Sequence, residues 1–330
     1  MNRSVILKFT FSILIISMSF RSNAQKPKLK LASDNWPPFT TENINKSLAL
    51  DIVTEALSRN QVEVVHEIIE FDLVLKGIIN SEIDGSGALW KTEDREEILL
   101  FSDPYLENRL VLVGLKGKDV SFTNFDGFKG QTIGLVHDYA YDESLLNAEN
   151  VEKVYSSNDQ ENLEKLLESK IDYMLVDELL IQYLLKYQLN DVNEYLSISD
   201  KPIQIKKLFL AIRKDISNAS EIILDFNERI DQMILDGTYT KILNLQSIQT
   251  DVNGDGIYEL IINSDYVGKQ SPHTAYALFY EQSAKGSDAQ YHLDGKIYNN
   301  WEQVPKESFK TPTFKLSDET SHPGLRIRIN

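Results

Sequence analysis

The sequence has no cysteine. That excludes disulfides, thiol nucleophiles and thiolate metal sites, and it leaves no residue for a lipid-bearing thioether. Positive charge is also scarce: 34 Lys and Arg face 50 Asp and Glu, a formal charge of −16 over 330 residues. Such a surface repels phosphate backbones, so nucleic acid is not an expected partner. Five histidines (66, 137, 273, 292 and 322) show no HExxH spacing, and no GxSxG occurs, so two common hydrolase signatures are missing. No apolar run reaches the ~20 residues that span a bilayer.

What is present is a globular composition, 42% hydrophobic and 25% charged, of a length that allows about two domains. The first 24 residues differ from the rest. Arg3 and Lys8 precede an apolar stretch from Phe9 to Phe20, and Ser22-Asn23-Ala24 supplies small residues at a cleavage position. This is the layout of a secretory signal peptide over 1–24. Its removal takes Arg3, Lys8 and Arg21 and no acid, moving the charge from −16 to −19. The expectation is an exported, periplasmic protein that is not lipid-anchored.

Short strands and helices then alternate. Lys28–Ser33 alternates as a strand, and Leu48, Ile52, Val53, Ala56 and Leu57 fall at helical spacing. Val62 to Ile69 reads as a strand, Leu73 to Ile79 as a helix, and Gly85 to Leu89 and Leu110 to Leu115 as buried strands. The pattern restarts at Thr132 to Val136. A helix over Asn162 to Ser169 leads through SKID into Tyr173 to Val176, as SEID leads into GSGAL 88 residues earlier. Leu208 to Ile212, a helix over Ser220–Ile234 and a short one near Thr240–Leu245 complete a body ending at 248. The alternation predicts a mostly parallel α/β sheet in two similar units. Residues 249–330, with short alternating runs at Tyr276 to Tyr280, Tyr291 to Tyr298 and Thr313 to Leu316, predict a small β-rich appendage.

The stretches SDNWPPF, SLALDIVTEAL, FDLVLKGIINSEIDG, TEDREEILLFSDPY, FKGQTIGLV, LESKIDYMLVD and the tail DGTYTKIL occur in an order that resembles the family 3 extracellular solute-binding proteins of bacterial ABC importers. The resemblance covers residues 26–248. It implies an α/β flytrap, the two-lobed periplasmic-binding-protein fold. Lobe one would be 26–113 with 213–248, lobe two 116–208, and Val111–Leu115 and Leu208–Ile212 would cross between them. It implies a monomer that captures a small ligand, an amino acid or similar compound, for an ABC permease in the inner membrane. Some relatives dehydrate carboxylic substrates, so a dehydratase-like enzyme is one alternative. A sensory or adhesion module acting in trans is another.

The resemblance also implies site residues. Arg95 matches the arginine that grips an α-carboxylate, for which a planar fork of donors is suited. Asp177, at the end of a buried strand, matches the aspartate that takes an α-ammonium group; it is also placed to cap a helix starting at Glu178. Trp36 matches an aromatic over the ligand, and Phe71 a ring lining the same pocket, while Phe39 packs beneath the loop. Trp90 stands where the family often has a small hydroxyl residue, and either stacks on a ligand or closes the core. His137, Asp138 and Tyr139 replace small residues that commonly grip the carboxylate. They put a plain amino-acid ligand in question; a cationic or aromatic ligand, or a modified amino acid, fits at least as well.

The appendage opens with Asp251, Asn253, Asp255, Ile257 and Glu259 at positions 1, 3, 5, 7 and 9 of a loop with Gly256 at its turn. These are the front positions of a calcium loop. Position 12 is Ile262 rather than Glu, so an EF-hand is not expected. The loop is either a structural calcium site or a solvated Asx-turn loop. No cofactor is required for function.

Overall fold

The computed structural model describes residues 27–42, 47–137, 139, 141–181, 195–252, 254–266, 275–281 and 290–309. Residues 1–24, expected to be a signal peptide, and Asp138, Asn253 and Thr313 to Leu316 lie outside the described residues.

The first unit is β1 (Lys28–Ser33), α1 (Leu48–Arg59), β2 (Glu63–Ile68), α2 (Phe71–Ile79) and β3 (Gly85–Trp90). β1 pairs in parallel with β2 and β3. The helical spacing in α1 buries Ala49, Ile52, Val53 and Ala56 on the sheet side. α3 (Glu93–Ile98) buries no side chain, which is why its polar TEDREE sequence carries no apolar period. β4 (Leu99–Phe101) and the ten-residue β5 (Leu106–Leu115) follow.

The second unit repeats the first: β6 (Gln131–Val136), α4 (Glu143–Leu146), β7 (Val151–Ser156), α5 (Asp159–Leu167) and β8 (Tyr173–Asp177), with β6 parallel to β7 and β8. The SEID and SKID segments are equivalent in detail. Ser81 and Ser169 both take left-handed φ, 63° and 58°. Asp84 Oδ2 accepts from Lys30 N on the first strand of its unit (2.8 Å), and Asp172 Oδ2 accepts from Thr132 N on the first strand of its own (3.0 Å). In each case a carboxylate after the helix caps the backbone of a neighbouring strand.

β9 (Leu196–Ile198) and β10 (Gln204–Arg213) complete one sheet of order β2-β1-β3-β10-β5-β8-β6-β7, with β4 on β10 and β9 on β5. The outer strands of each lobe are parallel, but β10 is antiparallel to β3 and β5, and β5 antiparallel to β8. The centre therefore departs from the mostly parallel expectation because β5 and β10 run between the lobes in opposite directions. Their mutual pairing covers Leu106–Leu110 and Gln204–Leu208. Val111–Gly114 already pairs with β8, and Phe209–Ile212 with β3, so the crossing lies ahead of both segments expected to make it. Gly85 is required where β3 pairs with β10: a Cβ on it would sit 2.0 Å from the Ala211 carbonyl oxygen.

α6 (Ala219–Leu235) packs Phe226, Ile230 and Met233 onto lobe one, and α7 (Thr238–Ile242) follows at Gly237, whose φ of 82° ends the longer helix. The C-terminal sheet contains β11 (Ser247–Thr250), β12 (Glu259–Ile262), β13 (Tyr276–Ala277), β14 (Tyr291–Leu293) and β15 (Lys296–Tyr298), in the order β13-β11-β12-β14-β15. Tyr291 to Tyr298 is a hairpin rather than one strand, because Asp294 and Gly295 both take positive φ in a two-residue turn. Ile248, Ile261 and Leu278 share a buried cluster with Tyr239 and Leu243 of the body, so this sheet is fastened to lobe one. Among the described residues no helix is long and apolar enough to cross a membrane.

Candidate ligand-binding cleft

A cleft of about 330 Å³, counting the open solvent at its mouth, is lined by Asp34, Trp36, Phe71, Trp90, Arg95 and Tyr139 among others. Five of these are residues singled out in the sequence. Four local structures deliver the lobe-one members. The loop after β1 is held by Thr40, whose hydroxyl donates to Asp34 O at 2.6 Å and accepts from Trp36 N at 3.1 Å. Phe71 opens α2, and Trp90 ends β3. Thr92 caps α3, accepting from Arg95 N at 3.4 Å, which turns Arg95 back over the strand end. Its guanidinium donates to Trp90 O at 2.5 Å and lies 5.3 Å from the Phe71 ring centre. Burial lowers its pKa, yet an arginine keeps its proton at any ordinary pH.

Tyr139 enters from lobe two. Its ring meets Trp36 and Trp90 edge-on, with centres 5.4 and 5.5 Å apart, and Trp36 meets Trp90 at 5.8 Å. Phe39 is fully buried under the loop, 4.5 Å from Trp36. Trp90 both lines the cleft and closes the core. It is 7% exposed, and its Nε1 donates to Asn108 Oδ1 at 2.8 Å. Lys206, opposite Asn108 on β10, lies 5.8 Å over the same indole and pairs with Asp142 of lobe two.

Three carboxyls stand at or near the cleft with raised pKa values. Burial pushes Asp34 up to about 6, and the charge of Glu70 adds to the shift. Burial pushes Asp159, the first residue of α5, up to about 7, although the Trp36 side chain donates to it from across the cleft. Asp177 is likewise raised to about 7 by burial, partly offset by the Leu179 amide. Asp177 Oδ1 accepts from Leu179 N at 2.7 Å, the geometry of a cap on the helical turn that begins at Glu178, while Oδ2 is buried without a hydrogen bond. Asp177 thus stands behind the lining, next to Asn108. His137 is elsewhere: it is exposed, its ring stacked 5.1 Å from Tyr155.

Sequence reasoning passed over Asp34, Asp159, Asn108 and Lys206. Asp34 stands inside the quoted SDNWPPF motif and was the one legible signal. Asp159 was hidden because SNDQE reads as an ordinary helix start, and Asn158 does cap α5.

In the loop Asp251–Glu259 the carboxylates serve the loop's own backbone. Asp251 accepts from Gly254 N at 2.8 Å and from Gly256 N at 2.9 Å, Asp255 from Ile257 N at 2.7 Å, and Glu259 from Val252 N at 3.1 Å. Ile257 is half exposed. Among the described residues no group of three or more His, Asp or Glu side chains is placed to hold a metal ion.

A family described as bacterial extracellular solute-binding proteins, family 3, matches residues 29–245. No curated protein matches the chain. Solved structures share the fold. A mutant of the arginine-binding protein of T. maritima is 20% identical, with a TM-score of 0.55, covering 66% of this chain and 93% of that one. An arginine transport periplasmic binding protein from Legionella pneumophila is 21% identical, with a TM-score of 0.54 over 66% and 98% of the two chains. An ancestral amino-acid-binding protein, precursor of a cyclohexadienyl dehydratase, is 19% identical, with a TM-score of 0.54 over 66% and 94%.

Proposed function

Since the chain belongs to family 3 of the bacterial extracellular solute-binding proteins, we propose that it captures a zwitterionic, net-cationic amino acid between its lobes. The observation that carries this reading is the pairing of Arg95 with Asp34 in one aromatic-walled cleft. Arg95 supplies a fork of donors for a carboxylate. Asp34, with Asp159 facing it from lobe two, supplies negative charge for an ammonium or guanidinium. Their raised pKa values mark uncompensated charge: each carboxyl is held toward its neutral form until a cation arrives. Trp36, Phe71, Trp90 and Tyr139 pack against the ligand's carbon chain, and their faces favour a cation. Asp177 caps the turn at Glu178 and stands off the cleft lining, away from the ligand.

Binding requires no cofactor and no bond is made. The captured solute is handed to an ABC permease of the inner membrane by a periplasmic monomer whose signal peptide has been removed. A thermal-shift panel of L-arginine, L-lysine, L-glutamine and L-glutamate tests the reading, because a ligand bound only by the folded state raises the melting temperature. The basic amino acids are expected to stabilise the protein and Arg95→Ala to abolish the shift. Stabilisation by glutamate above both basic amino acids overturns the charge assignment. A prephenate-like acid in the same panel, followed for turnover, tests dehydration, the chemistry to which carboxyls titrating near neutrality are also suited.

A further inference from the structure

The family match ends at residue 245, and the C-terminal sheet beyond it contributes nothing to the cleft lining named above. Its attachment to the crossing strands shows what it does. Side chains alternate along β5. Asn108, opposite Lys206, faces Trp90 and the cleft. Glu107 and Arg109 face the other way, to the back of the hinge, and both are buried there by residues of the C-terminal sheet. The Arg109 guanidinium lies 4.4 Å from the Tyr276 ring centre and 5.8 Å from that of Tyr280, and it donates to Ala277 O. Tyr280 N donates to Glu107 Oε2 at 2.7 Å. Glu178, on lobe two just beyond β8, stands 3.6 Å from Arg109.

The other end of this strap is anchored in lobe one. Leu278 is fully buried, and its amide donates to Gln249 O of β11 at 2.8 Å. Asn263 Nδ2 donates to Leu245 O at 2.9 Å, and Lys241 of α7 pairs with Asp294 at 2.9 Å. A sheet rooted in lobe one therefore grips a hinge strand whose Arg109 stands beside a lobe-two carboxylate.

We propose that the C-terminal sheet is a hinge clasp: Tyr276–Tyr280 holds Glu107 and Arg109 of β5 and so fixes the angle between the lobes. Opening a flytrap changes the backbone angles of a few hinge residues. At this hinge the change must draw Arg109 off Tyr276 and Ala277, so that a buried cation loses a ring and a carbonyl and keeps Glu107, 3.5 Å away on its own strand, which is unfavourable. The clasp thereby biases the protein toward the lobe angle seen here. That it raises affinity as well rests on the cleft being the ligand site, since apparent affinity scales with the fraction of binding-competent protein.

The absence of cysteine makes a direct test simple. Spin labels on Glu97→Cys in lobe one and Glu152→Cys in lobe two, both exposed, report the inter-lobe distance in the full chain by pulsed dipolar spectroscopy without any ligand. The unmodified clasp is expected to give one narrow distribution. Tyr276→Leu, which removes the ring but keeps an apolar side chain, is expected to add a second population at a different distance. Glu107→Gln, which keeps the side-chain shape and removes the charge, reads the clasp even where Tyr276→Leu loosens the C-terminal sheet. Distributions unchanged in both variants overturn the proposal. The measurement uses no ligand, so it stands apart from failure of the thermal-shift panel, which bears on the cleft alone.

Discussion

Replacing Asp159 by Asn is expected to stabilise the ligand-free protein, and by more at pH 8 than at pH 5. Asp159 is 9% exposed and titrates at about 7 in the fold against 3.8 for the ordinary carboxyl. A folded pKa above the unfolded one means that the folded state holds its proton longer. Below about pH 4 both states are protonated and the residue costs nothing. Between there and pH 7 the unfolded chain gains by ionising while the folded protein does not, so stability falls as pH rises and levels off once both are ionised. A shift of about three units is worth at most about 4 kcal/mol, at 1.36 kcal/mol per unit. Some 1.5 kcal/mol of that is already lost at pH 5, so the advantage of Asn over Asp should grow by about 2.5 kcal/mol from pH 5 to pH 8. Asn retains an oxygen to accept from Trp36, so packing is preserved. Urea unfolding of parent and variant at the two pH values measures the difference. An equal advantage at both refutes the reasoning, because it places Asp159 in water and the lobes apart.

Arg95→Ala is expected to weaken binding of a basic amino acid by about 3 kcal/mol, roughly a hundredfold, with the unfolding midpoint of the ligand-free protein unchanged; calorimetry and urea unfolding separate the two. Gly85→Ala is expected to unpair β3 from β10, since its Cβ would stand 2.0 Å from Ala211 O; loss of cooperative unfolding in a thermal scan is the sign. Removing divalent cations with EDTA is expected to leave the melting temperature unchanged, because the carboxylates of the Asp251 loop already accept amides of that loop. A fall of several degrees identifies a structural cation.

Where a segment buries one face, its period was plain in the sequence. α1 and β1 read off directly, and SEID against SKID disclosed the internal repeat because each needs a left-handed serine and a capping aspartate. α3 gave no signal since it places no apolar side chain in the core. The antiparallel centre escaped because strand direction depends on which lobe a strand enters, and local pattern is silent on that. The cleft followed the same division. Trp36, Phe71, Trp90, Arg95 and Tyr139 came from motif positions and meet in one cleft. Asp159 acquires its character only from burial in the folded protein, and Arg109 only from Tyr276, 167 positions later. Such side chains look like ordinary surface charges until tertiary structure buries them.

The central claim is that Arg95 and Asp34 grip opposite charges of one ligand. Titration calorimetry of L-arginine into the parent, Arg95→Ala and Asp34→Asn tests it most directly. The account predicts one site in the parent and a loss of about a hundredfold in each variant. Undiminished affinity in Arg95→Ala contradicts it.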